Sequence, residues 1–314
     1  MTLTRDDNSV VVSTGSLPAV EWEVPLANPS APGLYAVTIW TDTALDAPSR
    51  FLGLGVRFRV HNYGGEQAFG VWESEWCVDP DDQVKHGVRP EFLDPFTPIT
   101  VWAYDECDLT LQSTLDIESR ALQNLRLLEQ IAVERELAQR LLIDADTYDS
   151  GSSLGLYEPP FPSPSGDHLY EPYTTTTDPK LYPRAAGNIV DVPDIVAAVS
   201  RVEAQLAMTN TYGVIHAGAQ WAAYAARYNL IVRSGTSLKT PSGHTWAFGG
   251  GYVKGLENVI VGTSPTYGWR DQVQYREAID PFRSLRIGIA ERSLLVGYEH
   301  CTGGVRIASY CQCA

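Results

Sequence analysis

Lysine and long apolar stretches are scarce in this sequence. Only four of the 314 residues are lysine, and the formal net charge is −15. A protein that binds nucleic acid through its phosphates needs clustered Lys and Arg side chains, and the sequence has no such cluster. Apolar runs also stay well short of the roughly 18 residues that a membrane-spanning helix needs. The composition therefore argues against a nucleic-acid-binding protein and against a protein with membrane-spanning helices.

The first ten residues, MTLTRDDNSV, contain neither the basic nor the apolar region of a secretion signal. We therefore expect the chain to be made and kept in a reducing cytoplasm. The cysteine content fits that compartment, because an odd number of cysteines is more typical of free thiols than of a disulfide framework. The five are Cys77, Cys107, Cys301, Cys311 and Cys313.

Signatures of phosphate and calcium binding are also missing. Residues 249–251 are Gly-Gly-Gly, but they lack the Lys and Ser/Thr of a P-loop and the spacing of a dinucleotide fingerprint. We expect a flexible turn or a turn with positive φ there. A calcium loop starting at Asp144 would need Gly at its sixth position and Glu at its twelfth, which are Asp149 and Gly155 here. Asp144, Asp146 and Asp149 are therefore expected to solvate a helix end.

The histidines and cysteines near residue 300 do not form a recognisable zinc motif. His300 and Cys301 precede Cys311 and Cys313, so only one closely spaced pair of ligands exists. Structural zinc normally takes close pairs on both sides of the site. We expect these thiols to belong to a frayed tail.

Cys107 precedes a predicted helix, whose positive end could lower the pKa of its thiol. His216 or His244 could serve as its base. No local signature of a cysteine hydrolase accompanies them, and a buried small hydrophobe is the commoner role of cysteine. Our leading hypothesis is therefore a protein that is not an enzyme, with no catalytic residue, no cofactor and no metal ion.

The most regular stretch runs from residue 114 to residue 143 and contains neither Gly nor Pro. Ser113 and Thr114 can cap its start, and Asp116 and Glu118 lie where the helix dipole favours acidic groups. At about 1.5 Å per residue this helix is roughly 45 Å long, so it needs a sheet or other helices along its whole length. Its apolar stripe consists of Ile117, Ala121, Leu125, Leu128 and Ala132, widened by Leu122, Val133, Leu137, Leu141 and Leu142.

Charged residues are predicted to cover the rest of this helix. Asp116–Arg120 and Glu136–Arg140 have the i,i+4 spacing of ion pairs. The charged face is either an ordinary solvated surface or, if the helix lies against copies of itself, a device that fixes the register between subunits. It consists of Glu129, Glu134 and Glu136 with Arg126, Arg135 and Arg140.

The segments before the long helix are mostly extended. Residues 1–50 form a predicted arm, punctuated by proline, with short β pieces at residues 10–12 and 35–40. Residues 51–77 alternate apolar and polar side chains around a Gly-Gly turn, which predicts a long β hairpin. A further strand at residues 98–104 leads into the helix.

The segments after the long helix begin with a turn-rich connection at residues 144–193. Asp191 is predicted to cap a second helix, and a third helix is expected at residues 217–228. The stripe of the second helix is Ile195, Val199, Val202 and Leu206. Strands are expected at residues 230–233, 245–248, 259–261, 273–275, 285–289, 294–298 and 305–309.

Five short segments carry a family resemblance. They are FTPITVWAYDEC at residues 96–107, GVIHA at 213–217, LKTPSG at 238–243, GGGY at 249–252 and AER at 290–292. The amino-acid sequences of these segments, and the order of elements along nearly the whole chain, resemble those of the major capsid proteins of tailed bacteriophages, in particular of phages infecting actinobacteria. Those proteins have the Hong-Kong-97-type shell fold, which is also seen in encapsulins.

The resemblance implies an α+β fold in five parts. These would be an N-terminal arm at residues 1–50, an E-loop-like β hairpin at 51–95, a peripheral domain at 96–190 with its spine helix at 114–143, an axial α/β domain at 191–265, and closing strands of the peripheral domain at 266–314.

The resemblance also implies a function in assembly. Pentamers and hexamers of the chain would build the icosahedral head shell that encloses the double-stranded DNA genome, assembled in the host cytoplasm and retained in the virion. Portal, scaffold or decoration proteins are candidate partners, and the acidic chain is expected to contact DNA only nonspecifically. Some of these capsids cross-link their subunits through Lys and Asn, but residues 51–77 contain no Lys, so that chemistry is not expected here.

An arm and a hairpin without cores of their own must bury their apolar residues on neighbouring subunits. The candidate subunit-interface residues are Val56, Arg57, Phe58, Arg59, Glu66, Trp72, Trp76, Arg126, Glu129 and Arg135.

Two alternative functions stay open. One is an encapsulin-like cargo shell with the same fold, and the other is a cytoplasmic enzyme with a cleft between the α/β insertion and the rest of the chain.

Overall fold

Helices and strands alternate irregularly along this chain, which confirms the predicted α+β class. The computed structural model describes residues 4–6, 9–11, 24–29, 33–42, 55–57, 96–108, 116–146, 189–208, 210–299 and 301–308. The helices are α1 (Leu34–Val37), α2 (Ile117–Asp146), α3 (Ile195–Met208), α4 (Trp221–Arg227) and α5 (Tyr252–Gly255). The strands are β1 (Thr4–Asp6), β2 (Ser9–Val11), β3 (Ile39–Asp42), β4 (Ile99–Asp108), β5 (Val190–Val192), β6 (Val214–Gly218), β7 (Val232–Ser234), β8 (Ser237–Lys239), β9 (Thr245–Gly249), β10 (Val259–Thr263), β11 (Thr266–Arg270), β12 (Gln274–Asp280), β13 (Leu285–Tyr298) and β14 (Cys301–Ile307).

Two sheets hold most of the strands. The larger has seven strands in the order β5-β14-β10-β6-β9-β8-β7, so β14 joins the strands of the predicted axial segment. The smaller has the order β12-β13-β11-β3, with β4 on the other edge of β13. The pairs β5–β14, β6–β9 and β3–β11 are parallel. No helix in the described ranges is long and apolar enough to cross a membrane.

The central strand of the smaller sheet is β13, which is 14 residues long. Along one edge it pairs with β4, and along the other it pairs first with β12 and then with β11. The sequence predicted two strands here, at 285–289 and 294–298, because the polar residues between them interrupt the apolar pattern. They continue the strand because they find partners: Glu291 pairs with Arg276 at 2.9 Å and Arg292 with Glu129 at 3.2 Å.

The long helix α2 is close to its prediction. It begins at Ile117 rather than residue 114, because the side chain of Asp116 accepts a hydrogen bond from the N–H of Ser119 at 2.7 Å and so caps the helix. Most of the predicted stripe is buried or half-buried, from Ile117 to Leu142. Leu128 is the exception, with 55% of its surface exposed.

The three glycines at residues 249–251 have a different role from the predicted one. None of them has positive φ. Gly249 and Gly251 are needed because the chain there lies directly on α2. A Cβ on Gly249 would lie 2.5 Å from Cδ of Glu134, and one on Gly251 would lie 2.4 Å from the carbonyl oxygen of Ile131.

The second and third predicted helices need smaller corrections. The second, α3, is capped by Asp194, whose carboxylate accepts the N–H of Ala197 at 2.8 Å. Asp191, the predicted cap, lies in β5 instead. The third, α4, starts only at Trp221, because residues 214–218 form the fully buried strand β6. The predicted stripe of α3 is buried at Ile195, Val199, Val202 and Leu206.

The larger sheet is covered on both faces. Val259 and Val261 of β10 belong to the apolar cluster that includes α2, whereas Ile260 belongs to the cluster that includes α3 and α4. Alternate residues of a strand point to opposite faces, so α2 lies on one side of this sheet and α3 with α4 on the other. This explains why β10 is a continuous apolar run rather than an alternating one.

Candidate assembly surface

The strands β4, β12 and β13, which we call the ribbon, have one buried face and one exposed face. Val101 and Ala103 of β4 pack in the cluster that contains the apolar residues of α2. The alternate residues Trp102 and Tyr104 point the other way and are 64% and 42% exposed. Strand alternation therefore places aromatic side chains on the outer face of an ordered sheet.

The ribbon ends in a turn that displays a phenylalanine. Residues 281–284 connect β12 to β13, and Phe282 is 97% exposed. The carboxylate of Asp280 accepts the N–H groups of Phe282 and Arg283 at 3.0 and 3.3 Å, and Ser284 has φ of 54°. These contacts give the turn a defined shape, so Phe282 is held outward by the backbone.

The arginines of β12, its turn and the start of β13 each face a carboxylate. Arg286 makes a bidentate pair with Glu277 at 2.6 and 2.8 Å, Arg276 pairs with Glu291, and Arg283 lies 3.8 Å from Asp280. Hydrogen bonds from Arg286 lower the pKa of Glu277 below its ordinary value. The charges of this surface are therefore mostly neutralised within the chain.

Part of the predicted arm is anchored in the core of its own chain. Leu34 is fully buried, and its N–H donates to Oε1 of Glu134 at 3.0 Å. Strand β3 then pairs with β11, where the Arg270 guanidinium lies over the ring of Trp40 at 5.3 Å and pairs with Asp42 at 2.5 Å. For residues 33–42, the expectation that the arm buries its apolar residues only on neighbours is wrong. The predicted β piece at 35–40 is also divided, between α1 and β3.

An earlier piece of the arm, residues 24–29, contacts α2. Arg126 donates to the side chain of Asn28 at 2.9 Å, and Gln123 donates to the carbonyl oxygen of Ala27. Val24 and Leu26 remain 67% and 51% exposed. Arg126, a predicted interface residue, is thus exposed but already holds the arm of its own chain.

Among the other predicted interface residues, Arg57 and Arg135 are exposed. Val56 is half-buried against the core of its own chain, and its backbone pairs with that of Phe96. The residues Phe58, Arg59, Glu66, Trp72 and Trp76 lie outside the described residues, as does the predicted hairpin apart from residues 55–57.

The expectation that Glu129 and Glu134 lie on an exposed charged face is wrong. Glu129 is 6% exposed and pairs with Arg292 of β13, and Glu134 is fully buried. Burial raises the pKa of both carboxyl groups, partly offset at Glu129 by Arg292 and at Glu134 by hydrogen bonds from Leu34 and Gly251. Of the two predicted helical ion pairs, Glu136–Arg140 is confirmed at 2.6 Å, whereas Arg120 pairs with Asp105 of β4.

His216 is fully buried and bound through both ring nitrogens. Thr263 donates its hydroxyl hydrogen to the carbonyl oxygen of Ser264 at 2.8 Å, so its oxygen accepts a hydrogen bond from Nε2–H of His216 at 2.9 Å. Nδ1 then accepts the hydroxyl hydrogen of Tyr252, also at 2.9 Å. Burial lowers the pKa of His216 to about 3. This imidazole is not free to act as a base for Cys107.

The other groups considered for chemistry are also engaged. Nδ1 of His244 accepts the N–H of Gly213 at 3.1 Å. The expectation that Cys301 belongs to a frayed tail is wrong, because it is buried in β14, and burial raises the pKa of its thiol to about 12. Asp144, considered as a calcium ligand, accepts a hydrogen bond from the hydroxyl of Tyr298. Within the described ranges, no three His, Cys, Asp or Glu side chains are grouped as metal ligands.

No protein-family model matches this chain, and no curated protein matches it. Solved structures of phage particles do resemble it. The capsid of Ralstonia phage GP4 is 10% identical and has a TM-score of 0.47, over 95% of this chain and 97% of that one. The mature capsid of bacteriophage PhiM1 is 10% identical with a TM-score of 0.45, over 98% and 96%. A chain of Mycobacterium phage Bobi is 13% identical with a TM-score of 0.46, over 95% and 97%.

Proposed function

We propose that this chain is a major capsid protein, whose copies assemble into the head shell of a tailed phage around its double-stranded DNA. The observation that carries the proposal is the exposed aromatic surface of the ribbon, formed by Trp102, Tyr104 and Phe282. Aromatic residues are enriched at protein interfaces, and here they are presented by a sheet packed on a helix of 30 residues. The five short sequence segments that resemble capsid proteins, and the order of the elements along the chain, favour a shell as the product of assembly.

In such a shell the chain would form rings of five and six copies. Each weak contact is repeated many times around a closed particle, so modest pairwise free energies give a stable shell. The net charge of −15 would keep the packaged DNA from binding tightly. Portal, scaffold or decoration proteins would complete the head.

The chain would act without catalysis. His216, considered as a base for Cys107, is fully buried, and its pKa is lowered to about 3, so it stays neutral and hydrogen-bonded at neutral pH. Cys107 itself lies in β4 and is partly buried. No observation on the described residues favours the enzyme with a cleft or the cargo shell.

Electron microscopy of the purified chain in negative stain tests the proposal. We expect closed shells, or rings of five and six copies, at concentrations near 1 mg/ml. A preparation that stays dispersed as single copies, under conditions where its unfolding transition remains cooperative, contradicts the proposal.

A further inference from the structure

Large apolar side chains are exposed at the end of the ribbon. Phe282 is 97% exposed and Ile279 is 59% exposed. A large apolar side chain on a loosely held loop is common on protein surfaces, but this one stands on a turn fixed by two hydrogen bonds to Asp280. We refer to residues 279–286 as the ribbon tip.

The ribbon tip extends past the end of α2. Ile117, the first residue of the helix, lies against β13 at Gly288, where an added Cβ would be 3.1 Å from its side chain. The strand continues from Gly288 to Leu285, which adds about 10 Å at roughly 3.3 Å per residue. The tip is therefore a hydrogen-bonded projection whose apolar end lies beyond the first residue of α2.

The charges of the ribbon tip fit a second copy of this chain better than a nucleic acid. A chain of net charge −15 repels its own copies over most of its surface. At the tip, however, Arg286 is paired with Glu277, and Arg283 lies 3.8 Å from Asp280, so the patch carries both signs. Binding to phosphates would instead call for unpaired cations.

The pair Arg283–Asp280 is also loose enough to exchange partners. At 3.8 Å it is at the outer limit of an ion pair, and the side chain of Arg283 is 78% exposed. Each of the two groups can pair with an opposite charge on a neighbouring copy while Phe282 is covered. A patch with one aromatic side chain and both signs of charge is complementary to an acidic surface that also carries arginines.

We infer that the ribbon tip is a subunit contact, in which Phe282 of one copy is buried against a second copy of the same chain. This inference rests on the proposed function, because it names the contact through which copies assemble. Residues at the centre of an interface that are aromatic and fully desolvated carry most of its binding energy. Loss of the apolar ring of Phe282 should therefore weaken the contact between copies far more than it lowers the stability of the fold.

Two variants at this position test the inference. Phe282→Ser removes the apolar ring, and Phe282→Leu is the matched control because it keeps an apolar side chain of similar reach. Particle formation is followed by light scattering over a dilution series, and folding by the thermal unfolding midpoint. We expect Phe282→Ser to raise the concentration needed for half-assembly at least tenfold, Phe282→Leu to stay within threefold of the wild type, and all three midpoints to agree within 2 °C.

The outcomes separate this inference from the proposed function. If the wild type forms particles and Phe282→Ser forms them at the same concentration, the ribbon tip is not a subunit contact, although the proposed function stands. If the wild type itself never assembles, both are overturned.

Discussion

The carboxylate of Glu134 in α2 accepts a hydrogen bond from the backbone N–H of Leu34, at 3.0 Å and one hundred residues earlier in the chain. Its second oxygen accepts the N–H of Gly251 at 2.8 Å, 117 residues later. Gln130 donates to the first oxygen at 2.8 Å. One fully buried side chain thus ties the arm and the glycine-rich loop to the long helix, and several expectations follow for stability and assembly.

Replacing Glu134 by alanine should destabilise the fold strongly. The variant leaves the buried N–H groups of Leu34 and Gly251 without their acceptor and creates a small cavity, which together cost about 2–4 kcal/mol. The measurement is the free energy of unfolding in urea. Glu136→Ala is the matched control on the same helix, because Glu136 is only partly buried and loses one ion pair with Arg140, worth about 1 kcal/mol or less. Equal losses for the two variants would show that Glu134 does not have this role.

The glycines of the loop should differ sharply in their tolerance of alanine. A Cβ at Gly251 would lie 2.4 Å from the carbonyl oxygen of Ile131, which belongs to the helix backbone and cannot move aside. A Cβ at Gly250 would meet nothing closer than 3.8 Å. We expect Gly251→Ala to lower the free energy of unfolding by about 2 kcal/mol or more and Gly250→Ala by about 1 kcal/mol or less. The packing described for this loop is incorrect if Gly251→Ala is tolerated as well as Gly250→Ala.

The stability of the fold should decrease in acid because of His216. Its pKa is about 3 in the folded chain and about 6.5 when unfolded, so between these values only the unfolded state binds the proton. The free energy of unfolding therefore loses up to about 1.4 kcal/mol for each pH unit from pH 6.5 downward. Glu129 and Glu134 act in the opposite sense, since their raised pKa values favour proton uptake by the folded state.

The variant His216→Gln isolates this contribution. The two glutamates titrate in both proteins, so the difference between the wild type and His216→Gln reports the histidine alone. We expect the advantage of the wild type to shrink steadily as the pH falls from 6.5 to 4.5. Curves that stay parallel over this range would mean that His216 does not remain neutral in the fold.

Assembly should be favoured by salt. Copies that each carry a net charge of −15 repel one another, and raising the salt concentration from 0.05 to 0.5 M shortens the screening length about threefold. We expect the concentration needed for half-assembly to fall severalfold over this range, measured by light scattering. Sucrose at matched viscosity serves as the control. An unchanged or increased assembly concentration at high salt would contradict the electrostatic part of the account.

The features that the sequence predicted correctly depend on residues that are close together along the chain. The apolar stripe of α2 follows from steps of three and four residues, and the pair Glu136–Arg140 follows from i,i+4 spacing. Leu128 was misplaced because the stripe follows steps of four from Ile117 through Ala121, Leu125 and Glu129, which turns Leu128 outward.

Contacts between distant segments could not be predicted in this way. Glu129 and Glu134 are expected at the surface because they are charged, and only Arg292, Leu34 and Gly251 explain why they are buried. The same holds for Gly249 and Gly251, which are required by the close approach of α2 rather than by their own dihedral angles. Phe282 was not singled out, although a phenylalanine beside Pro281 in a turn between two strands is a signal that the sequence does contain.

Sedimentation velocity of the purified chain tests most directly whether copies of it build a shell. The account predicts a boundary at five to six times the 34.5 kDa of one chain, giving way to particles of megadalton size as the concentration rises. A single boundary at 34.5 kDa across the whole range, from a chain that is folded, would contradict it.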